Sequence, residues 1–451
     1  MKKILIINAT IVNEGHTVAR DIFIEGDRII KILPHGKGKE LAGAKSETID
    51  ADGLWLLPGV IDDQVHFREP GLTHKGEIST ESAAAAAGGI TSFMDMPNTL
   101  PQTITLEEWQ NKNRTAAEKS VINYSFYFGG TNNNFGELEK IDRQKVCGIK
   151  VFLGASTGNM LVDNEEALNR IFSINDLPVA CHCEDEAIIK RNAAAYREEY
   201  GDEIDPAFHP LIRSREACYI SSSGAAERAR KLGTRLHLLH LSTAEEMDLL
   251  KKGPLAGKRI TGEVCVHHLW FDDSDYGTKR NLIKWNPAIK KATDREALRE
   301  AVKNGKLDII ATDHAPHTIA EKSAPYFSAP SGGPLVQHSL VMMLELCHRG
   351  IFTPELIVEK MCHNPAILFN IKDRGFIREG YKADMVLVNP NSSWTVTQNN
   401  ILYKCGWSPL EGTTFRSRIV TTIVNGTIVY SNGHLTGARS AEMLTFDRQL
   451  K

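Results

Sequence analysis

Eight short apolar segments, each followed by a helical stretch, run from Pro58 to about residue 371, and this alternation limits the fold more than any other feature of the chain. The segments are GVIDDQVHF (59–67), TSFMDMP (91–97), INYSFYFGG (122–130), GIKVFLG (148–154), PVACHCE (178–184), RLHLLHLS (235–242), ITGEVCVHH (260–268) and DIIATDHA (308–315). Between them lie amphipathic or Ala-rich stretches such as STESAAAAAGG, NEEALNRIF and DREALREAVKNG. Near-continuous apolar strands alternating with helices make an α/β fold with a parallel sheet. Eight such units are the count of a closed (β/α)8, or TIM, barrel. A doubly wound open sheet would want a Gly-rich phosphate turn after its first strand, and none is present.

Both ends of the chain read differently. ILIINATIV and DIFIEGDRIIKIL near the start, and DMVLVNP and RIVTTIVNGTIVYSNG near the end, are strand-like, the last a hairpin about Asn425-Gly426. Neither end is large enough to be stable alone. The expected organisation is therefore one small β-sandwich domain formed by both termini (1–56 plus 372–451) flanking a barrel of residues 57–371.

Composition excludes several classes of function. A formal net charge of −3 gives no electrostatic reason to expect nucleic acid or an anionic membrane as partner. No apolar run is long enough to span a bilayer. MKKILIINATIV reads as a strand rather than a signal peptide, and the 8 cysteines contain no C-x-x-C pair. A cytoplasmic protein with reduced core thiols is expected.

The residues that carry chemistry sit at one end of the strands. Gln64, His66 and Arg68 alternate toward one side at the end of the first. Lys150 interrupts the apolar fourth, His182 and His240 end the fifth and sixth, and Asp313 ends the eighth with His314 and His317 beside it. The C-terminal ends of barrel strands converge on one mouth, where active sites of this fold form. Taken singly, a strand histidine is a hydrogen-bonded core residue, and that reading is applied to His237, His267, His268, His338 and His314. It does not account for three histidines, an aspartate and a buried lysine at the same level of separate strands. Imidazoles and carboxylates suit zinc. A buried lysine can react with carbon dioxide to give an anionic carbamate able to bridge two ions. Two such ions can activate water and polarise a carbonyl.

These residues lie in motifs that resemble a known family. DDQVHFREPG (62–71), MPNT (96–99), GIKVFLG (148–154), HCED (182–185), HLLHLST (237–243), NPAIK (286–290), TDHAPHTIAEK (312–322) and the closing SPLEGTTFRSRIVTTIVNG are similar to those of the dihydroorotases. These belong to the cyclic amidohydrolase branch of the amidohydrolase superfamily. The resemblance implies a metal-bearing barrel with a flanking β-sandwich. The implied activity is reversible hydrolysis of L-dihydroorotate to N-carbamoyl-L-aspartate in pyrimidine biosynthesis. By the same resemblance His66, Lys150, His182, His240 and Asp313 are metal ligands, for two zinc ions bridged by carboxylated Lys150. Asp313 is also the proton shuttle. Arg68, Asn98, Asn286 and His317 hold a small substrate bearing a carboxylate. A homo-oligomer, dimer or tetramer, is expected, and association with aspartate carbamoyltransferase is a further expectation.

Two departures stand out. Gln64 occupies a position where the family usually has histidine, so its neutral side-chain oxygen would be a weak ligand. Ala288 and Lys290 replace the proline and arginine usual after the Asn-Pro. The alternatives are another cyclic amidohydrolase (dihydropyrimidinase, hydantoinase or allantoinase), or a catalytically silent homologue acting as an assembly partner. Arg68 speaks against the former, because hydantoinases and allantoinases generally lack this arginine. The retained ring of ligands speaks against the latter. The Gly- and Pro-rich segment from Ser323 to Pro334 is expected to be either a lid over the substrate or a surface connection.

Overall fold

A computed structural model describes residues 2–38, 46–154 and 160–448. Its centre is the expected parallel barrel. Val60–Val65, Ile90–Asp95 and Asn123–Phe126 pair in one run. Phe128–Gly129, Ile149–Phe152, Pro178–His182, Arg235–Leu238, Ile260–Cys265 and Ile309–Ala311 pair in a second. The two runs meet within the third unit, where Tyr127 donates its N–H to Asp95 on one side and Phe128 donates to Gly148 on the other. Closure comes from the bridge between Val65 and His314 and from the His66 N–H donated to the His314 carbonyl at 2.7 Å. Strands covered on both faces must be apolar throughout, and almost every residue in them is buried.

The helices begin where the sequence supplies caps. Thr105, Asn164, Asp185 and Ser214 each accept a backbone N–H at the start of Leu106–Lys119, Glu165–Phe172, Glu186–Tyr200 and Arg215–Leu232. Ile78–Ala87 buries Ala84, Ala85, Ala86 and Ala87, whose small side chains let the helix approach the sheet. No helix among the described residues is long and apolar enough to cross a membrane. All eight cysteines are free thiols, six of them buried.

Every strand is shorter than the sequence suggests, the last three most tellingly. The sixth stops at Leu238, the seventh gives way at Val266 to a one-turn helix (Val266–Trp270), and the eighth stops at Ala311. Backbone reversal accounts for the sixth and eighth: His240 and Asp313 have φ of 39° and 48°, values that cannot continue a ladder.

Among the described residues nine strands of the two termini form one sheet, and Trp394–Thr395 pairs with Thr414–Phe415 apart from it. In it Trp55–Pro58 pairs antiparallel with Met385–Asn389, tying the two ends together. The expected hairpin is present, with Val424 opposite Thr427 and Asn425 and Gly426 at φ 46° and 69°, the left-handed pair of a type I′ turn. The C-terminal part departs from the expected boundary. Residues 440–448 return to the barrel, where the Arg448 guanidinium donates to the carbonyls of Val146, Cys147 and Phe369. The stretch before the last hairpin also reaches the mouth, with Trp407 Nε1 donating to the His317 carbonyl at 2.7 Å.

Candidate active site

A cavity of about 230 Å³ opens at the C-terminal end of the barrel, and its lining contains Gln64, His66, Arg68, Asn98, Lys150, His182, His240, Asn286, Asp313 and His317. Every residue singled out from the sequence is therefore brought to one place. Arg68, His240 and Asp313 all have positive φ, at 68°, 39° and 48°. Such conformations cost about 1–3 kcal/mol each for residues other than glycine and persist where surrounding structure enforces them, which is typical of functional sites.

On one side of the cavity His66 is fixed from both ring nitrogens. Nδ1 lies 2.8 Å from Asn98 Oδ1 and Nε2 lies 3.1 Å from Asp313 Oδ1. On the other side His182 Nδ1 and His240 Nε2 are 2.9 Å apart. His182 Nε2 sits 2.8 Å from Glu184 Oε2, which leaves Nδ1 as the ring atom free to ligate. Glu184 is itself gripped by Arg213, whose Nε and Nη2 reach its oxygens at 3.0 and 2.5 Å. Burial pushes both His182 and His240 below the usual imidazole range, so both are neutral, the form that binds metal. Lys150 is 1% exposed, and among the described residues its amine makes no hydrogen bond or ion pair. Burial lowers it to about 8, so a neutral amine is within reach.

Gln64 lines the cavity beside these residues and turns its amide nitrogen toward Asp313. Its Nε2 donates to Asp313 Oδ1 at 3.2 Å while its Oε1 faces the Cys265 thiol at 3.9 Å. An amide N–H satisfies a carboxylate, whereas an amide oxygen would repel it. In this arrangement Gln64 orients Asp313 rather than offering an oxygen to the ligand ring.

The opposite wall carries the anion-binding features. Arg68 is buried, with Nε on the Pro316 carbonyl at 3.0 Å and Nη2 3.0 Å from His317 Nε2. Among the described residues no carboxylate pairs with it. Burial lowers it to about 10, still charged at neutral pH. His317 lies between Arg68 and Lys75, whose Nζ is 3.1 Å from Nδ1, and burial and these cations keep the imidazole neutral. Asn286 Oδ1 is buried without a partner.

Glu184, Arg213 and Lys75 were not singled out from the sequence. Glu184 was legible, because 182 and 184 share a strand face. Arg213 and Lys75 come from connecting segments that carry no periodic signal. The plain reading of His314 and His338 holds: His314 Nε2 pairs with Glu81 at 2.9 Å, and His338 Nδ1 is 3.1 Å from the Tyr403 hydroxyl.

The family model for the amidohydrolase family matches residues 55–429. The chain belongs to the amidohydrolase family. This amidohydrolase is 34% identical over 396 residues to a dihydroorotase of Halobacterium salinarum, covering 87% of this chain and 89% of that one. It is 32% identical to an allantoinase of Solibacter usitatus, covering 98% and 97%. Among solved structures it is similar to the L-hydantoinase (dihydropyrimidinase) of Arthrobacter aurescens, with TM-score 0.93, 25% identity, and 99% and 100% of the two chains covered. The amidohydrolase is thus a hydrolase of the cyclic amidohydrolase kind, with a barrel and β-domain shared by its relatives.

Pro330, Ser331 and Gly332 of the Gly- and Pro-rich segment form part of the cavity wall. Two buried lysines strap this segment by its carbonyls. Lys322 Nζ donates to Pro330 O at 2.9 Å and Gly332 O at 2.7 Å, and Lys284 Nζ to Tyr326 O at 2.6 Å and Ala329 O at 2.5 Å. Lys322→Met should loosen the wall without touching the ligand ring. The expected result is unchanged metal content and a KM raised about tenfold, the factor that about 1.4 kcal/mol of lost positioning represents. Steady-state kinetics beside metal analysis checks it.

Proposed function

We propose that this amidohydrolase is a zinc-dependent dihydroorotase, interconverting L-dihydroorotate and N-carbamoyl-L-aspartate, a step of pyrimidine biosynthesis. The observation that carries this reading is Arg68, a buried guanidinium on the cavity wall with no carboxylate paired to it among the described residues. A buried charge needs an opposite charge. Dihydroorotate brings a carboxylate to that position, whereas dihydrouracil, hydantoin and allantoin do not. The similarity to proteins named dihydroorotase supports the same reading.

The donor set suits zinc. His66, His182 and His240 would hold it by their imidazoles, Asp313 by its carboxylate, and Lys150 as a carbamate formed by reaction with carbon dioxide. In that reaction the neutral amine of Lys150 bonds the carbon of carbon dioxide, one proton leaves to solvent, and the group becomes anionic. When bound, zinc supplies Lewis-acid polarisation of the ring carbonyl and raises the acidity of the attacking water.

The chain's own residues do the rest. Arg68 takes the substrate carboxylate by charge-assisted hydrogen bonds, with Asn98, Asn286 and His317 around it. Asp313 accepts the proton of the attacking water and returns it to the ring nitrogen as the amide bond breaks. Gln64 holds Asp313 in position for both transfers. Gln64→Ala should therefore leave zinc in place and lower kcat, within the roughly 10–100-fold range that loss of such an orienting partner brings. Zinc analysis and kinetics on the same sample check it, and a lost zinc ion would assign Gln64 to the ligand ring instead.

The reading is tested by incubating the zinc-loaded protein with L-dihydroorotate and following ring opening by NMR, then with N-carbamoyl-L-aspartate in the reverse direction. Conversion both ways is expected. No conversion by protein with its full zinc content would refute the assignment.

A further inference from the structure

Inside the barrel, separate from the cavity lining, the side chains of Asp63, His237 and Glu263 converge from the first, sixth and seventh strands. His237 Nε2 is 3.3 Å from Asp63 Oδ2 and 3.6 Å from Glu263 Oε2. His237 Nδ1 is engaged by the Thr261 hydroxyl at 2.8 Å, so Nε2 is the ring atom aimed into the cluster. Both oxygens of Asp63, Glu263 Oε2, His237 Nε2 and the hydroxyl of Tyr127 are buried and lack a hydrogen-bond partner. Tyr127 is wholly buried, and the charges of Asp63 and Glu263 both act on its hydroxyl.

Other buried acids of this chain meet either a cation or a set of hydrogen bonds, as Asp62 does at the Thr312 hydroxyl and Glu246 at Ser242 and Thr243. Glu184 has Arg213 at 2.5 Å and Asp308 has Lys258 at 2.7 Å. Asp63 and Glu263 meet no lysine or arginine among the described residues; against the effect of burial they raise the His237 imidazole to about 9, so at most one imidazolium faces two carboxylates. Two carboxylates left so in a dry interior are expensive unless positive charge reaches them. The separations themselves are informative. A charge-assisted N–H···O bond would close to about 2.7–2.9 Å. Ligands bound to one ion at about 2.0–2.2 Å in tetrahedral fashion stand about 3.3–3.6 Å apart, the spacing of His237 Nε2 from each carboxylate, and all three ligand atoms lie within 4.8 Å of one another.

We propose that Asp63, His237 and Glu263 hold a divalent cation of the zinc class, distinct from the catalytic ions, which fastens the first, sixth and seventh strands together inside the barrel. Its charge balances the two carboxylates. A cavity of about 160 Å³ among the starts of the strands is lined in part by His237 and Thr261.

Zinc is the probe. Crystals of the full chain expressed with zinc are measured above and below the zinc absorption edge. An anomalous peak enclosed by Asp63, His237 and Glu263 is expected, in addition to those at the mouth. Asp63→Asn and His237→Gln should each bind roughly one zinc fewer per chain than wild type, melt at lower temperature, and keep the zinc at His182 and His240. No peak, with His237 drawn to hydrogen-bond distance of Asp63, would mean that an imidazolium supplies the charge and would overturn the proposal. An unchanged zinc count in either variant would overturn it too. If a variant does not fold, the wild-type map decides alone. Neither readout depends on which cyclic amide the enzyme opens.

Discussion

Lys150→Ala protein should fold, lose zinc from the mouth of the barrel, and lose hydrolysis with it. Lys150 is the one candidate ligand able to join both halves of the ring, and its amine rests 4.5 Å from the centre of the Phe152 ring with no hydrogen bond or ion pair among the described residues. A single oxyanion-stabilising donor is worth about 10²–10³ in kcat, so losing the group that holds both ions should cost more than that. Short carboxylic acids in the buffer should restore part of both zinc and activity by standing in for the carbamate. The pH dependence of reconstitution follows from the amine. Burial lowers it to about 8, and only the neutral form attacks carbon dioxide. At constant dissolved carbon dioxide, reconstitution of wild-type apo-protein should slow about tenfold per pH unit below 8 and level off above it. A pH-independent rate, or full zinc content in Lys150→Ala, would remove the bridging carbamate from the account.

The second large effect belongs to Arg68. Arg68→Met keeps the apolar stem and removes the charge, so its contacts with Pro316 O and His317 are lost while the ligand ring remains. Loss of a charge-assisted, bidentate contact should reduce kcat/KM for dihydroorotate on the order of 10²–10³-fold with zinc content unchanged. A rise in KM alone would mean that the carboxylate is held equally in ground and transition states. Near-normal turnover would mean that another group binds it.

Much of this arrangement was legible in the sequence because barrel strands announce themselves by apolar runs, and polar residues at their C-terminal ends have one destination. His66, Lys150, His182, His240 and Asp313 meet for that reason. The local backbone was less legible. Nothing in the residue types of His240 and Asp313 announces a positive φ, and so the sixth and eighth strands read too long. The role of Gln64 depended on which end of a symmetric-looking amide faces Asp313, a choice made by surrounding hydrogen bonds rather than by spacing. The shared β-domain was visible as strand-rich ends. The return of residues 440–448 to the barrel was not, since contacts of that range leave no local pattern. Asp63 and Glu263 went unremarked because an acid within an apolar strand gains meaning only when its neighbours across the barrel are known.

The most direct test of the central claim, that this site opens a cyclic amide bearing a carboxylate, is the ratio of kcat/KM for L-dihydroorotate to that for dihydrouracil, the same ring without the carboxylate. In zinc-loaded wild type the ratio should be at least on the order of 10², the worth of the Arg68 contact. In Arg68→Met it should collapse toward unity. Equal use of the two rings by wild type, or a preference for dihydrouracil, would contradict the account.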